Sequence, residues 1–139
     1  MNAVVVDTNI LFSMLLSRHG RLRDVLFHAG DTRFYCCRFS IVELFKHKQK
    51  LLACSKLEEP DLLEALNVIL GRLSFYDELS LTTSSLRQAF DLCAGIDEKD
   101  TPFVALTIEL NGELWSGDKE LVRGLRDKGF QRIFIPESR

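Results

Sequence analysis

The chain has 139 residues, enough for one domain with a substantial core and too few for a second domain of ordinary size. Its 18 basic and 20 acidic residues leave a net charge of −2, which excludes a global polycation that would hold nucleic acid by bulk charge. Cys36, Cys37, Cys54 and Cys93 show no Cys-x-x-Cys pairing and no histidines at finger spacing, which excludes a zinc finger or a thioredoxin-like motif and suits reduced thiols.

From the N-terminus, Ala3–Val6 is an unbroken apolar run of the kind found in a central parallel strand, and Asp7-Thr8-Asn9 ends it with a charge at its carboxyl end. The apolar stretch 3–16 contains Asp7, has no basic residue before it and is too short to cross a bilayer, so a cytoplasmic protein without a membrane segment is expected. Ile10 to Ser17 returns to helical spacing, and Leu22, Val25, Leu26 and Ala29 predict a second helix ending at Gly30. Phe34–Cys37 is the second strand. A long amphipathic helix follows, with Ile41, Leu44, Phe45, Leu51 and Leu52 on one stripe and Glu43, Lys46, His47 and Lys50 on the other side. Ser40-x-x-Glu43 also matches a capping box, which gives Glu43 a purely structural alternative. Lys48 interrupts the stripe and is expected to pair with an acid or reach solvent.

Glu58 to Asp61 start a further helix carrying Leu62, Leu63, Leu66, Ile69 and Leu70. Phe75–Leu81 reads as a weaker strand, Thr82 to Ser85 as cap candidates, and Leu86, Ala89, Phe90 and Cys93 as the buried stripe of the next helix. Pro102 then fits the first turn of a helix that runs to Asn111-Gly112. Glu113–Ser116 is a short strand, Lys119–Lys128 a helix, and Arg132–Ile135 a last strand. Strands alternating with helices argue for a three-layer α/β/α sandwich around a central, mainly parallel twisted sheet, a single domain spanning residues 1–139.

Charge is unevenly placed. Residues 18–56 hold nine Lys/Arg against three acids, 57–118 hold three against thirteen, and 119–139 hold six against three. Basic segments around an acidic middle would steer a phosphate chain to an acidic centre, with Lys46 and Lys50 as the candidate backbone contacts.

Asp7, Glu43, Asp100 and Asp118 stand at the starts or ends of four different elements, where a parallel sheet can bring distant residues together. Like charges in one cleft repel unless cations neutralise them, and an all-oxygen donor set selects Mg²⁺ or Mn²⁺ over zinc. Such a site can activate water and stabilise the oxygens of a phosphodiester displacement. A phosphoacceptor domain would want paired acids after the first strand and a Lys after the last, and an Asp-x-Asp phosphatase would need a second Asp where Asn9 stands.

Val4-Val-Val-Asp-Thr-Asn9, Ser40-x-x-Glu43, Asp100 before an apolar helix, and Trp115-Ser-Gly-Asp118 before another helix together resemble the PIN-domain nucleases. The resemblance covers nearly the whole chain. It implies a Mg²⁺- or Mn²⁺-dependent endoribonuclease in which Asp7, Glu43, Asp100 and Asp118 are the catalytic, metal-binding acids. Asp97 is a further candidate ligand, and Thr8, Asn9 and Ser116 match the companions that position the acids or a phosphate. It also implies VapC-like toxins of toxin-antitoxin pairs, with a small antitoxin as partner and a homodimer as the assembly. The Phe34-Tyr-Cys-Cys-Arg38 segment and the long helical region 41–73 depart from the leaner toxin pattern. The rival expectation is a catalytically silent binding or docking module of the same fold.

Overall fold

Val4, Val5 and Val6 are fully buried, because a strand paired on both edges and covered on both faces accepts only apolar side chains. They form strand β1 (Ala3–Val6), followed in the chain by β2 (Arg33–Cys37), β3 (Leu73–Tyr76) and β4 (Glu113–Trp115). In this computed structural model, which describes residues 2–16, 20–28 and 30–136, all four pair in parallel in the order β3-β2-β1-β4. The expected last strand contracts to one parallel bridge, Leu114 to Ile133. Among the described residues its ladder bonds run from Leu114 N to Arg132 O (2.9 Å) and from Phe134 N to Leu114 O (2.8 Å). Pro136, which has no amide to donate, closes it.

The helices are α1 (Thr8–Leu16), α2 (Arg21–Phe27), α3 (Phe39–Lys46), α4 (Lys48–Ser55), α5 (Glu59–Leu70), α6 (Thr83–Cys93), α7 (Thr101–Glu109) and α8 (Lys119–Asp127). Ser17 and Ala29, expected near the ends of the first two, lie outside the described residues. Right-handed crossovers from β1 to β2 to β3 put α1 to α5 on one face, and the return from β3 to β4 puts α6 and α7 on the other. Accordingly α7 lies against β1, β2 and β4 with α6 beside it, while α1 packs with α2 to α5. The expected three-layer sandwich is the fold found. Its strand order reverses at β1, so the carboxyl ends of β1 and β4 open a crevice there, the place where open α/β sheets bind ligands. Among the described residues, no helix is long and apolar enough to cross a membrane.

Five local readings are corrected. The long helix expected after Ser40 breaks at His47 into α3 and α4. The His47 ring packs edge-on against Phe12 at 5.8 Å and lies 3.7 Å from Glu43, which holds the bend. Its stripe is also rotated, since Ser40 and Leu44 are buried while Ile41 and Phe45 are exposed. The capping box does not form: α3 already starts at Phe39, and the Ser40 hydroxyl is held by Thr8 at 2.8 Å. In α6 the buried face is Ser85, Ala89 and Cys93, with Leu86 and Phe90 outside, because small side chains let α6 lie close along α7. The third strand stops at Tyr76, since Asp77 accepts from Leu79 N at 3.0 Å and starts a 3₁₀ turn over Glu78–Ser80.

Other expectations hold. Thr82 caps α6 by accepting from Ser85 N at 3.2 Å, and Lys48 meets Glu59 at 2.6 Å. All four cysteines are free, three of them buried. Two glycines allow approaches that no side chain would: a Cβ on Gly112 would lie 2.5 Å from the Ala3 carbonyl oxygen, and one on Gly124 would lie 2.4 Å from Ile96 Cδ1. The second lets α8 close on the loop that carries Asp97.

Candidate functional site

Asp7 is buried at the carboxyl end of β1, where its amide donates to the Trp115 carbonyl of β4 at 3.0 Å. Its carboxylate accepts the Ser116 hydroxyl at 2.8 Å and the Asn9 amide at 3.4 Å. Ser116 Oγ in turn accepts from Asp118 N at 3.1 Å, and Asn9 Oδ1 accepts from Gly117 N at 3.2 Å. Asn9 and Ser116 therefore stitch the β1 end to the β4–α8 loop and fix where Asp7 and Asp118 lie.

Asp118 is the N-cap of α8, with Oδ1 accepting from Glu120 N and Leu121 N at 3.1 Å each. Asp97 is the corresponding cap of the 3₁₀ turn Glu98–Asp100, accepting from Lys99 N at 3.0 Å. Asp100 follows at the head of α7 and makes no capping bond. Asp97, Asp100 and Asp118 each offer a carboxylate oxygen, and these lie within 4.8 Å of one another.

The electrostatics are those of a repulsive cluster. Burial, then the charges of Asp7, Asp97 and Asp118, push Asp100 up to about 7, helped by a proton shared with the Asp97 side chain. Asp7 is also raised, mainly by burial and further by Asp118, against the lowering bonds from Ser116 and Asn9. Among the described residues no Lys, Arg or His forms an ion pair with any of these four acids.

Thiols near the cluster do not change its donor chemistry. Burial pushes Cys36 up to about 12 and raises Cys93 too, so both stay protonated at neutral pH. What remains is hard carboxylate oxygen, a donor set that fits Mg²⁺ or Mn²⁺ and disfavours zinc.

The other residues expected at the site separate into groups. Glu43 does not share this cluster; its carboxylate lies 3.7 Å from His47 Nε2. Thr8 is buried with its hydroxyl bonded to Ser40, so it ties α1 to α3. Lys46 and Lys50 are exposed on α3 and α4, and Lys50 borders a hollow with Phe12 and His47. Sequence reading missed a second feature beside the cluster: Lys119, Arg123 and Arg126 of α8 line a groove that begins at Ser116 and Gly117. Their i, i+4, i+7 spacing was the available signal.

The sequence model of the PIN domain matches residues 5–136. The chain belongs to the PIN-domain family. Among solved structures, this PIN domain is similar to a chain in the crystal structure of VapBC2 from Rickettsia felis bound to a DNA fragment from their promoter. The TM-score is 0.62 at 15% identity, over 94% of this chain and 95% of that one, a likeness that shows the shared fold. No curated protein sequence gives a significant match to this PIN domain.

Proposed function

We propose that this PIN domain is a Mg²⁺- or Mn²⁺-dependent endoribonuclease. The observation that carries the reading is the set of acids at the sheet's switch point, which no Lys, Arg or His among the described residues pairs with. Asp97, Asp100 and Asp118 would hold the cation, which supplies Lewis acidity and a more acidic bound water. Asp7, oriented by Ser116 and Asn9, adds negative charge from the strand side and so strengthens the cleft's attraction for a cation. Asp100, pushed up to about 7, is partly protonated near neutrality, and a bound cation would favour its ionised form. Glu43 enters as an outlying fifth acid, one helical turn beyond the Ser40 hydroxyl that anchors α3 to Thr8. Lys46 and Lys50 remain candidate contacts to the RNA backbone on that side.

The likeness to a chain of a VapBC2 complex supports a toxin role with a small antitoxin partner. Val42 and Phe45, 65% and 80% exposed on α3, support a protein partner or a homodimer, since such side chains are left bare at a cost in water. A single-domain cytoplasmic protein is part of the same reading.

A silent docking module is favoured by one observation, that Asp97 and Asp118 already serve as caps. Asp118→Asn separates the readings, because Asn still caps a helix but brings no charge to a cation. Labelled single-stranded RNA should be cut by the parent with Mn²⁺, not with excess EDTA, and not by a folded Asp118→Asn variant. Cleavage that survives EDTA, or that survives the substitution, removes the metal mechanism.

A further inference from the structure

Helix α8 buries Leu121 and Leu125, and on another face carries Lys119, Arg123 and Arg126 in one row. All three are exposed, and among the described residues none makes an ion pair or a side-chain hydrogen bond. They line a groove of about 600 Å³ whose near end is Ser116 and Gly117, the loop that carries Asp118. Phe134, half-buried, and Ile135, 67% exposed, line the same groove. Asp127, at the far end of the helix, is the one carboxylate in the lining among the described residues.

We propose that this groove holds the phosphate backbone of single-stranded RNA on one side of the bond cleaved at the acid cluster, an inference that rests on the nuclease reading above. A cluster of uncompensated carboxylates repels a polyanion, so a strand delivered to it needs a neighbouring cationic track. Here the track starts where the cluster ends. From Lys119 to Arg126 the row rises seven residues at roughly 1.5 Å each, about 10 Å, enough for its cations to meet successive phosphates of one strand. Phe134 and Ile135, lining the same groove, offer an apolar surface to unpaired bases, which a duplex would keep stacked inside. Lys46 and Lys50 have no such continuity with the Ser116–Asp118 loop.

The test uses the full chain carrying Asp100→Asn, so that RNA is bound and not cut. Anisotropy of a labelled single-stranded RNA of about 12 nucleotides, within the usual site size, is followed across salt concentrations. Changing Lys119, Arg123 and Arg126 together to Gln should lower the slope of log affinity against log salt by about 2, at roughly 0.7 per single-strand contact. The charge-conserving variant K119R/R123K/R126K should restore it, and thermal melts of both check that they fold. An unchanged slope in the Gln variant, or no RNA binding by the Asp100→Asn parent, overturns the proposal. So does a polyglutamate peptide that binds as tightly as the RNA and is lost in the Gln variant, which would assign the groove to an acidic protein. Mn²⁺-dependent cleavage by the chain with native Asp100 is scored separately, so failure of the nuclease reading and failure of the α8 track are told apart.

Discussion

Two neighbouring residues at the end of β1 lead into two polar clusters of opposite character. Thr8 leads inward to Ser40 and Cys36, where the hydroxyls meet at 2.8 Å and the thiol lies 3.1 Å from Ser40 Oγ and 3.2 Å from the Val6 carbonyl. Every member is neutral and bonded, and no described buried side-chain N or O atom lacks a partner. Asp7 leads outward to Asp97, Asp100 and Asp118, where hydrogen bonds hold the carboxylates but, among the described residues, no cationic side chain pairs with them. The first cluster is complete within the chain and holds α1, α3 and β2 together. The second is incomplete, and its missing component is positive charge. Polar side chains inside a fold thus divide by whether their electrostatics close internally, and only the open set calls for a ligand.

That division can be broken most severely at the acids. Asp7→Asn and Asp100→Asn should each reduce RNA cleavage by at least about 100-fold, beyond the 10–100-fold typical of groups that only orient a ligand. Chain stability should hold or rise, since a buried repulsion is removed. Single-turnover assays beside thermal melts check both halves, and retained cleavage in either variant would exclude that acid from the chemistry.

Ser40→Ala should do the reverse. It strips the shared partner from Thr8 and Cys36 and should cost about 1–3 kcal/mol, the range for leaving buried polar groups unpaired. Mn²⁺ affinity of the folded protein should stay within about twofold of the parent. A large loss of affinity without loss of stability would mean that the inner cluster belongs to the site after all.

A pH series sharpens the same contrast. Asp100 is held at about 7 in the folded chain, above the 3.8 of a free carboxylate, so the folded state keeps its proton longer than the unfolded state does. Its destabilising effect is absent below about pH 4, grows as pH rises toward 7 and is complete above it. Discounted for partial exposure, that effect is about 1–2 kcal/mol without divalent cation. Asp100→Asn should flatten this part of the stability profile, and Mg²⁺ should raise the parent's melting temperature more at pH 8 than at pH 5. Parallel profiles for parent and variant would refute the assignment.

The smallest effect is expected at Glu43. Its pairing with His47 is half-exposed, and such contacts contribute about 0–1 kcal/mol. Glu43→Gln should leave stability within about 0.5 kcal/mol and weaken Mn²⁺ binding by about tenfold or less. Identical binding and cleavage in the variant would remove Glu43 from the site.

The legible parts of the molecule are those where local chemistry and tertiary structure agree. Ala3–Val6 reads as a central strand because it has only one environment available, and Thr82 reads as a cap because its partner Ser85 is three residues away. Asp97, Asp100 and Asp118 are visible as acids at element ends, but that their oxygens come within 4.8 Å depends on Gly124 admitting Ile96, a contact between distant segments. Ser40 shows the opposite failure. Its local pattern favours a capping box, and the hydroxyl of Thr8, thirty-two positions away, takes the bond instead. Periodicity also misjudged α3 and α6, where Phe45 and Phe90 are apolar and exposed. A hydrophobic stripe records which residues avoid water, including those that avoid it only in an assembly, and so cannot separate core from contact surface.

Asp118 has an entropic consequence beyond its charge. Its Oδ1 is already immobilised by two backbone amides of α8, and its own amide is held by Ser116, before any ion arrives. On the proposed metal reading, a cation would meet a carboxylate with little rotational freedom left to lose, since the entropy of arranging this side chain was spent when the helix formed. Of the three clustered acids, Asp118 would then contribute least to the ordering cost of binding, and that cost would fall on Asp100, which makes no capping bond.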